Sequence, residues 1–413
     1  MKTLLYLILM LTSNYAGAAT GESAHQHTAM PDTPECKTKA NEGMLRCSPV
    51  MNATFDQDGR LWLVWVNDEY IFVNHSDDKG MTYSQPVRVN KKPEAVAALG
   101  ENRPKIKLDK AGRIFLSWTI KLPQRYSGHI RFSRSVDGGM TFSEPMTVND
   151  HILPTSHRFE SFVVNDKGEI YIAWLDKRDM LLAKKQGRDY VGAALYYATS
   201  TDHGQTFSVN QKLADHSCEC CRTAAALDPD QSPVFFWRHI YPLHTRDHAL
   251  IKLRSDGHQG TPIRVSHDGW KVQACPHHGP DLNISIDGNY HAVWFNNAEI
   301  RHGLFYAHSD DQGQHFSEPL AFGDYQKQAS HPAVYSSGQN VYLVWQEFDG
   351  TIHSLMTQAS GDRGVTWEKP RVLSRHVGAV DYPMLLSDRG RVYVYWHIPG
   401  EPLKLLRLEQ DKP

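Results

Sequence analysis

The feature that most constrains this chain is a short apolar run, ending in tryptophan, that recurs seven times. Each run has four or five residues and is rich in β-branched and aromatic side chains, a composition typical of β-strands. Repetition at this scale predicts one repeat architecture, although 413 residues would otherwise suggest two or three domains. The runs lie at 61–65, 114–118, 170–174, 234–237, 291–294, 341–345 and 392–396.

A second repeated element follows most of these runs. The octapeptide Ser-x-Asp-x-Gly-x-Thr-aromatic occurs at 76–83, 135–142, 200–207 and 360–367, and 309–316 differs in having His315 instead of threonine. Serine and aspartate side chains can hydrogen-bond the backbone of a hairpin turn, and glycine tolerates its conformation. A degenerate copy lies near 255–257. The sequence therefore predicts the same turn in successive repeats.

The octapeptide resembles the Asp-box, or BNR, repeat of sialidase-like β-propellers, from about Cys47 to the end of the chain. The resemblance implies an all-β fold, a single β-propeller of four-stranded antiparallel blades. Counting the tryptophan runs gives seven blades, with six, the usual number in sialidases, as the alternative. The last repeat lacks the octapeptide and is one strand short. We expect residues before Cys47 to supply a ring-closing strand, which would remove a sheet edge.

The first residues are predicted to be a targeting signal rather than part of the fold. Residues 1–18 combine Lys2, an apolar run at 4–11 and the small residues Ala16 to Ala18, which is typical of a secretory signal peptide. We therefore divide the chain into a signal at 1–18, an N-terminal tail at 19–46 and the propeller at 47–413. The predicted location is the periplasm or the extracellular space, with no membrane span in the mature chain.

The net charge restricts the partners. The formal net charge is −2, which argues against a nucleic-acid binder held by phosphate contacts. The predicted partners are a metal ion or small-molecule ligand on one propeller face, or a periplasmic protein.

Cysteines and histidines concentrate where the propeller topology would place a ligand site. The starts of the inner strands surround the axis of a propeller, and four cysteines precede two adjacent predicted inner strands. Cys36 and Cys47 lie before the first blade and are predicted to form a disulfide. The predicted metal ligands are Cys218, Cys220, Cys221, Cys275, His277, His278 and His331.

Three interpretations of this cluster stay open. Thiolates and imidazoles suit copper, which we favour, or zinc. Alternatively, Cys218 or Cys221 forms a disulfide with Cys275 and leaves two structural thiols. A redox-active thiol pair is the third interpretation. The block from Cys218 to Pro280 is similar to a cysteine-rich exported subgroup of Asp-box proteins, for which the resemblance implies no particular reaction.

The sialidase resemblance implies a second set of candidates. That family binds a substrate carboxylate with three arginines and uses a tyrosine nucleophile paired with glutamate. Arg103, Arg158, Arg222 and Tyr382 occupy predicted inner strand starts, with Glu160 nearby. No convincing acid aspartate follows Arg103, and each arginine could instead be a structural ion pair.

Three function classes result. The first is an exported propeller that binds a metal for metal handling or redox chemistry. The second is an exo-sialidase-type glycoside hydrolase, and the third is a non-catalytic scaffold that binds a protein. Metal content, turnover of a sialoside and a co-purifying partner would distinguish them.

Overall fold

The fold consists almost entirely of antiparallel β-strands. A computed structural model of the chain describes residues 34–40, 42–253, 260–272, 277–299 and 301–408. The strands are β1 (Met51–Phe55), β2 (Leu61–Asn67), β3 (Tyr70–Ser76), β4 (Val87–Arg88), β5 (Lys105–Leu108), β6 (Ile114–Lys121), β7 (Gly128–Ser135), β8 (Met146–Thr147), β9 (His157–Val164), β10 (Ile170–Asp176), β11 (Ala193–Ser200), β12 (Gln211–Ser217), β13 (Ala224–Leu227), β14 (Pro233–Tyr241), β15 (Thr245–Lys252), β16 (Ile263–Arg264), β17 (Asp281–Ile284), β18 (Tyr290–Asn297), β19 (His302–Ser309), β20 (Leu320–Phe322), β21 (Ser330–Ser337), β22 (Asn340–Phe348), β23 (Ile352–Ser360), β24 (Arg371–Val377), β25 (Met384–Asp388), β26 (Arg391–Trp396) and β27 (Lys404–Leu408).

Consecutive strands pair in chain order within each sheet, except that β12 pairs with β14 rather than with β13. Four sheets have four strands each: β1 to β4, β5 to β8, β17 to β20 and β21 to β24. Strands β9 to β16 form one eight-stranded sheet, in which a single pair, Ser217 with His239, joins β12 to β14. The described part of the last sheet has three strands, β25 to β27. All seven tryptophan runs lie in strands, which confirms that prediction.

The tryptophans hold neighbouring groups of strands together. Every tryptophan that ends a run is at most 1% exposed, and separate apolar clusters pack one group against the next. The first strands β1, β5, β9, β13, β17, β21 and β25 contact one another in that order, and β25 also contacts β1. The burial of these large rings contributes to the stability of the contacts between groups.

The octapeptides form the predicted turn between the third and fourth strands of a group. In the first, the Gly80 N–H donates to the Ser76 hydroxyl at 2.7 Å, and Thr82 donates to Asp78 from its N–H at 2.8 Å and its hydroxyl at 2.6 Å. These donors lower the pKa of Asp78 to about 2. The copies at 135–142, 200–207, 309–316 and 360–367 repeat the pattern. The degenerate copy lies outside the described residues.

The segment before β1 is tied to the last sheet. Helix α1 (Pro34–Thr38) and a 3₁₀ helix (Leu45–Cys47) are joined by the Cys36–Cys47 disulfide, which confirms the predicted pairing. His397 Nε2 lies 2.8 Å from the Ser48 carbonyl oxygen. The signal peptide and most of the predicted tail lie outside the described residues, so the signal and the ring-closing strand stay predictions.

A second helix, α2 (Arg178–Lys185), follows β10. Across the described ranges, neither helix has the length and apolar character that crossing a bilayer requires.

Two adjacent glycines in the octapeptide at 135–142 differ in the space that surrounds them. Gly138 and Gly139 both have positive φ, +70° and +81°. A Cβ on Gly139 would lie 2.8 Å from the Trp62 ring, whereas one on Gly138 would meet nothing within 4 Å. We expect Gly139→Ala to lower the free energy of unfolding by about 1–3 kcal/mol more than Gly138→Ala. Urea denaturation of the two variants measures this difference, and equal losses would mean that Trp62 does not restrict the turn.

Candidate functional site

Three cysteine sulfurs meet in the loop between β12 and β13. The Sγ atoms of Cys218, Cys220 and Cys221 all lie within 4.8 Å of one another. The Sγ of Cys218 is 3.9 Å from that of Cys220 and 3.6 Å from that of Cys221. Thiolates that share a metal at about 2.3 Å are spaced about 3.8 Å apart, so this spacing suits one shared ion.

The surrounding fold fixes this loop at both ends. The Cys218 N–H donates to the Arg238 carbonyl at 2.9 Å, just after the single residue pair that joins β12 to β14. At the other end, the Thr223 hydroxyl donates to the Phe159 carbonyl at 3.1 Å. The cysteines pack among apolar residues that include Phe159 and Trp237, and each is at most 5% exposed. Loop geometry and burial therefore pre-organise the sulfurs away from water.

Two buried arginines give the cluster a positive environment. Arg246 Nη1 lies 3.0 Å from the Sγ of Cys218, and the charge of Arg238 also acts on this thiol. Hydrogen bonds from Cys220 and Cys221, with both guanidinium charges, hold the pKa of Cys218 well below its usual range. Burial raises the pKa of Cys221. Sequence reasoning missed both arginines, because β14 and β15 approach the cysteine loop only in three dimensions.

The predicted histidine ligands lie elsewhere on the same face. In the described ranges, no histidine nitrogen joins the three sulfurs in a mutually close group. The His278 ring instead packs 4.1 Å from Phe295 and 4.8 Å from His331, as centroid distances. His331 stacks on Tyr382 at 3.4 Å. His277, just before His278, lies ahead of β17, and Cys275 lies outside the described residues.

A central cavity of about 490 Å³ is lined by all seven first strands. Arg103, Arg222 and Tyr382 line it, as the sequence predicted for inner strand starts. Lys105, Lys107, Glu101 and Asp281 line it as well, so charges of both signs face the same space. The volume is typical of sites for small ligands.

Arg103 is engaged in a buried ion pair. Its Nη1 and Nη2 donate to the two carboxylate oxygens of Asp381 at 2.7 and 2.6 Å. Its Nε donates to the Gly100 carbonyl at 2.6 Å, and Nη1 also reaches the Met51 carbonyl at 3.2 Å. This network connects the segments before β5 and β25 to β1. Arg103 therefore acts as a structural ion pair in this structure, the alternative raised from the sequence.

Glu101, which sequence reasoning missed, is one of two carboxylates, with Asp381, whose charge acts on Tyr382. It accepts from the backbone N–H groups of Arg222 at 3.0 Å and Gly279 at 2.6 Å, and its charge adds to the burial that raises the pKa of Tyr382. Glu160, the predicted partner of Tyr382, is fully buried and pairs with Lys105 Nζ at 3.1 Å. Lys105 therefore holds the carboxylate that the sialidase resemblance offered as a partner for Tyr382.

The three predicted arginines do not converge. Arg222 donates from Nε to the Pro280 carbonyl at 3.1 Å and from Nη2 to the Pro332 carbonyl at 3.0 Å. Arg158 is absent from the residues that line the central cavity, and its guanidinium lies 4.9 Å from the Phe159 ring centroid. Two of the three arginine candidates, Arg103 and Arg222, therefore line the central cavity, and both are held by contacts within the protein.

His157, at the start of β9, gives the stability of this face a pH dependence. Burial lowers its pKa from 6.5 to about 4, with Asp176 opposing the shift. As pH falls from about 6.5 to 4, the unfolded chain takes up a proton that the native state does not. We therefore expect His157 to contribute a loss of up to about 3 kcal/mol in the free energy of unfolding. Urea titrations at pH 7 and 5 should show a smaller loss for His157→Gln than for wild type, and equal losses would contradict this assignment.

Comparisons with solved structures identify proteins of similar fold. No protein-family profile and no curated protein sequence matches the chain. An ulvan lyase of a polysaccharide lyase family, bound to a GlcA(1-4)Rha3S unit, is 10% identical, with 86% of this chain and 90% of that chain covered and a TM-score of 0.55. A Hadza microbial sialidase is 14% identical, with 84% and 76% covered and a TM-score of 0.47. An α-L-arabinofuranosidase from Fusarium graminearum is 13% identical, with 72% and 88% covered and a TM-score of 0.47. The chain therefore has a fold like that of propeller enzymes such as the ulvan lyase.

Proposed function

We propose that this chain is an exported, sialidase-like propeller that binds a soft metal ion through the thiolates of Cys218, Cys220 and Cys221. The observation that carries the proposal is the close approach of three buried sulfurs at 3.6 and 3.9 Å for the two measured pairs. Thiolate sites suit copper(I) and zinc(II). Once bound there, either metal would hold the loop between β12 and β13 in one conformation.

The same proposal includes the architecture and the location. We infer that the seven groups of strands are seven blades, because their first strands contact in sequence and β25 contacts β1. The N-terminal sequence supports export to the periplasm or beyond. The metal would then be encountered outside the cytoplasm, where metal handling or redox chemistry would follow.

Anaerobic titration of the purified mature chain tests this function. Copper(I) and zinc(II) are each added in competition with a chromophoric chelator of known affinity. We expect one equivalent of at least one metal to bind. We expect no binding by a chain that has been denatured, alkylated at its cysteines and then refolded. Failure of the native, reduced chain to compete for either metal would contradict the proposal.

A glycan is the second candidate ligand, and the central cavity favours it. Lys105, Lys107 and Arg222 bring positive charge to a cavity that also contains the Tyr382 ring. This combination suits an acidic sugar, whose carboxylate would pair with the cations while a sugar hydroxyl bonds to the Tyr382 phenol. The ulvan lyase of similar fold is bound to a GlcA(1-4)Rha3S unit, which supports this candidate more than a redox role.

The glycan candidate makes a prediction separate from the metal. We expect any activity on sialosides or uronic-acid polysaccharides to fall at least about tenfold in Tyr382→Phe, because the phenol hydroxyl would lose its contact with the sugar. Release of a fluorogenic aglycone and the absorbance of unsaturated uronides measure hydrolysis and elimination. The matched control is Tyr335→Phe, which lines the same cavity on another strand. No turnover and no binding across the panel would remove this candidate.

A further inference from the structure

We infer that the metal held by the three thiolates is copper(I), and that Arg238 and Arg246 set this preference by balancing charge. The inference rests on the proposed function, because it names the ion for the same site. Its support comes from the contacts of the two arginines, which are observations separate from the sulfur spacing.

The guanidinium groups of Arg238 and Arg246 are both buried and hydrogen-bonded. Arg238 is 1% exposed and Arg246 is 8% exposed. Arg246 donates from Nε to the Val272 carbonyl at 2.8 Å and from Nη1 to the Cys218 sulfur at 3.0 Å. Arg238 donates from Nη2 to the carbonyls of His278 at 3.0 Å and Phe295 at 2.6 Å. Within the described ranges, both guanidinium groups thus bond to neutral carbonyls, to an imidazole or to sulfur rather than to a carboxylate.

This arrangement of the two guanidinium groups has a cost in desolvation free energy. Buried charges are usually paired with a counter-charge, because desolvation without one is expensive. Arg238 Nη1 is a buried donor without an acceptor in the described part of the chain. Burial raises the pKa of Glu101, and the Arg238 charge opposes that shift; the Glu101 carboxylate already accepts from the Arg222 side chain and from two backbone N–H groups. Among the described residues, the Glu219 carboxylate of the same loop pairs with Lys177, which leaves the three thiols as the source of negative charge beside the two arginines.

Copper(I) and zinc(II) would leave different net charges at the three thiolates. Three thiolates around one copper(I) ion retain two negative charges, which the two guanidinium groups neutralise. Three thiolates around zinc(II) retain one negative charge and leave a buried excess of positive charge. The three sulfurs that the described residues bring together are enough for a trigonal copper(I) site, whereas zinc(II) usually takes four ligands. Charge and ligand number therefore both select copper(I).

The experiment measures the ratio of copper(I) to zinc(II) affinity by chelator competition in the full mature chain. We expect wild type to prefer copper(I) and Arg246→Gln to lower that preference at least about tenfold. The copper complex carries one more negative charge and so loses more when a guanidinium is removed. Arg246→Lys, which keeps the charge, should retain most of the preference. Arg264→Gln is the matched control, because Arg264 pairs with Asp247 rather than with a thiol.

The outcomes separate the inference from the function beneath it. If wild type binds neither copper(I) nor zinc(II), the metal centre itself is refuted. Binding of both metals with an unchanged ratio in Arg246→Gln would refute the charge-balance inference and leave the metal centre in place. Loss of binding in Cys275→Ser would indicate a fourth thiolate and a zinc(II) site, which would also overturn the inference. Circular dichroism of the metal-free variants confirms that each is folded.

Discussion

Replacing Asp381 with alanine is expected to lower the free energy of unfolding by about 3–5 kcal/mol, because it leaves the Arg103 guanidinium buried without a counter-charge. The Arg103 and Asp381 side chains are 5% and 0% exposed, and two short hydrogen bonds join them. The pair also connects the segments before β5 and β25, so its loss should weaken contact between the first, second and last groups of strands. Urea denaturation followed by tryptophan fluorescence measures the change.

An exposed ion pair provides the control for this prediction. Glu144 pairs with Lys91 on the surface, with side chains 65% and 72% exposed. We expect Glu144→Gln to cause no measurable change, because solvent and salt screen such pairs. The double variant Arg103→Met with Asp381→Leu should recover part of the loss, since it removes both buried charges. A small effect of Asp381→Ala alone would mean that the ion pair does not hold the groups together.

Replacing Cys221 with serine is expected to weaken metal binding by a few hundredfold to several thousandfold. A structural thiolate site releases roughly 10–16 kcal/mol on binding, so one ligand in three contributes about 3–5 kcal/mol. Cys221 is 2% exposed, and its sulfur lies 3.6 Å from that of Cys218. A serine hydroxyl is a poor substitute because soft metals prefer sulfur. Competition with a chelator measures the affinity of the variant relative to wild type.

Ser217→Ala is the matched control for the cysteine variant. Ser217 is fully buried beside Cys218, but its hydroxyl would not be expected to bind a soft metal. We expect its affinity for the metal to stay within about threefold of wild type, as a substitution that only perturbs packing would allow. Equal losses in the two variants would indicate that the loop has been disordered rather than that a ligand has been removed.

The sequence was sufficient to predict the repeating strands because their signal is local. Each tryptophan run has the apolar composition of a buried strand, and each octapeptide contains the donors and acceptors of its own turn. The position of the cysteines before β13 could also be predicted, because the order of strands in a repeat places each inner strand start. Local patterns thus determined where candidate residues would lie along the chain.

The partners of those residues could not be predicted, because they come from distant parts of the chain. Arg246 contacts Cys218 across 28 positions and Asp381 contacts Arg103 across 278. The sequence alone cannot assign an arginine to a thiol, a carboxylate or a ligand when several lie at equivalent strand starts. For the same reason Glu160 could be predicted near Tyr382, whereas in the structure it pairs with Lys105 and Glu101 acts on the tyrosine.

X-ray absorption at the edge of the bound metal would test the three-thiolate centre most directly. Mature protein is loaded anaerobically with one equivalent of copper(I), freed of excess metal, and measured as a frozen solution. We predict a first shell made only of sulfur, with three scatterers at about 2.2–2.3 Å. A first shell dominated by nitrogen or oxygen, or a chain that retains no copper to measure, would contradict the thiolate centre.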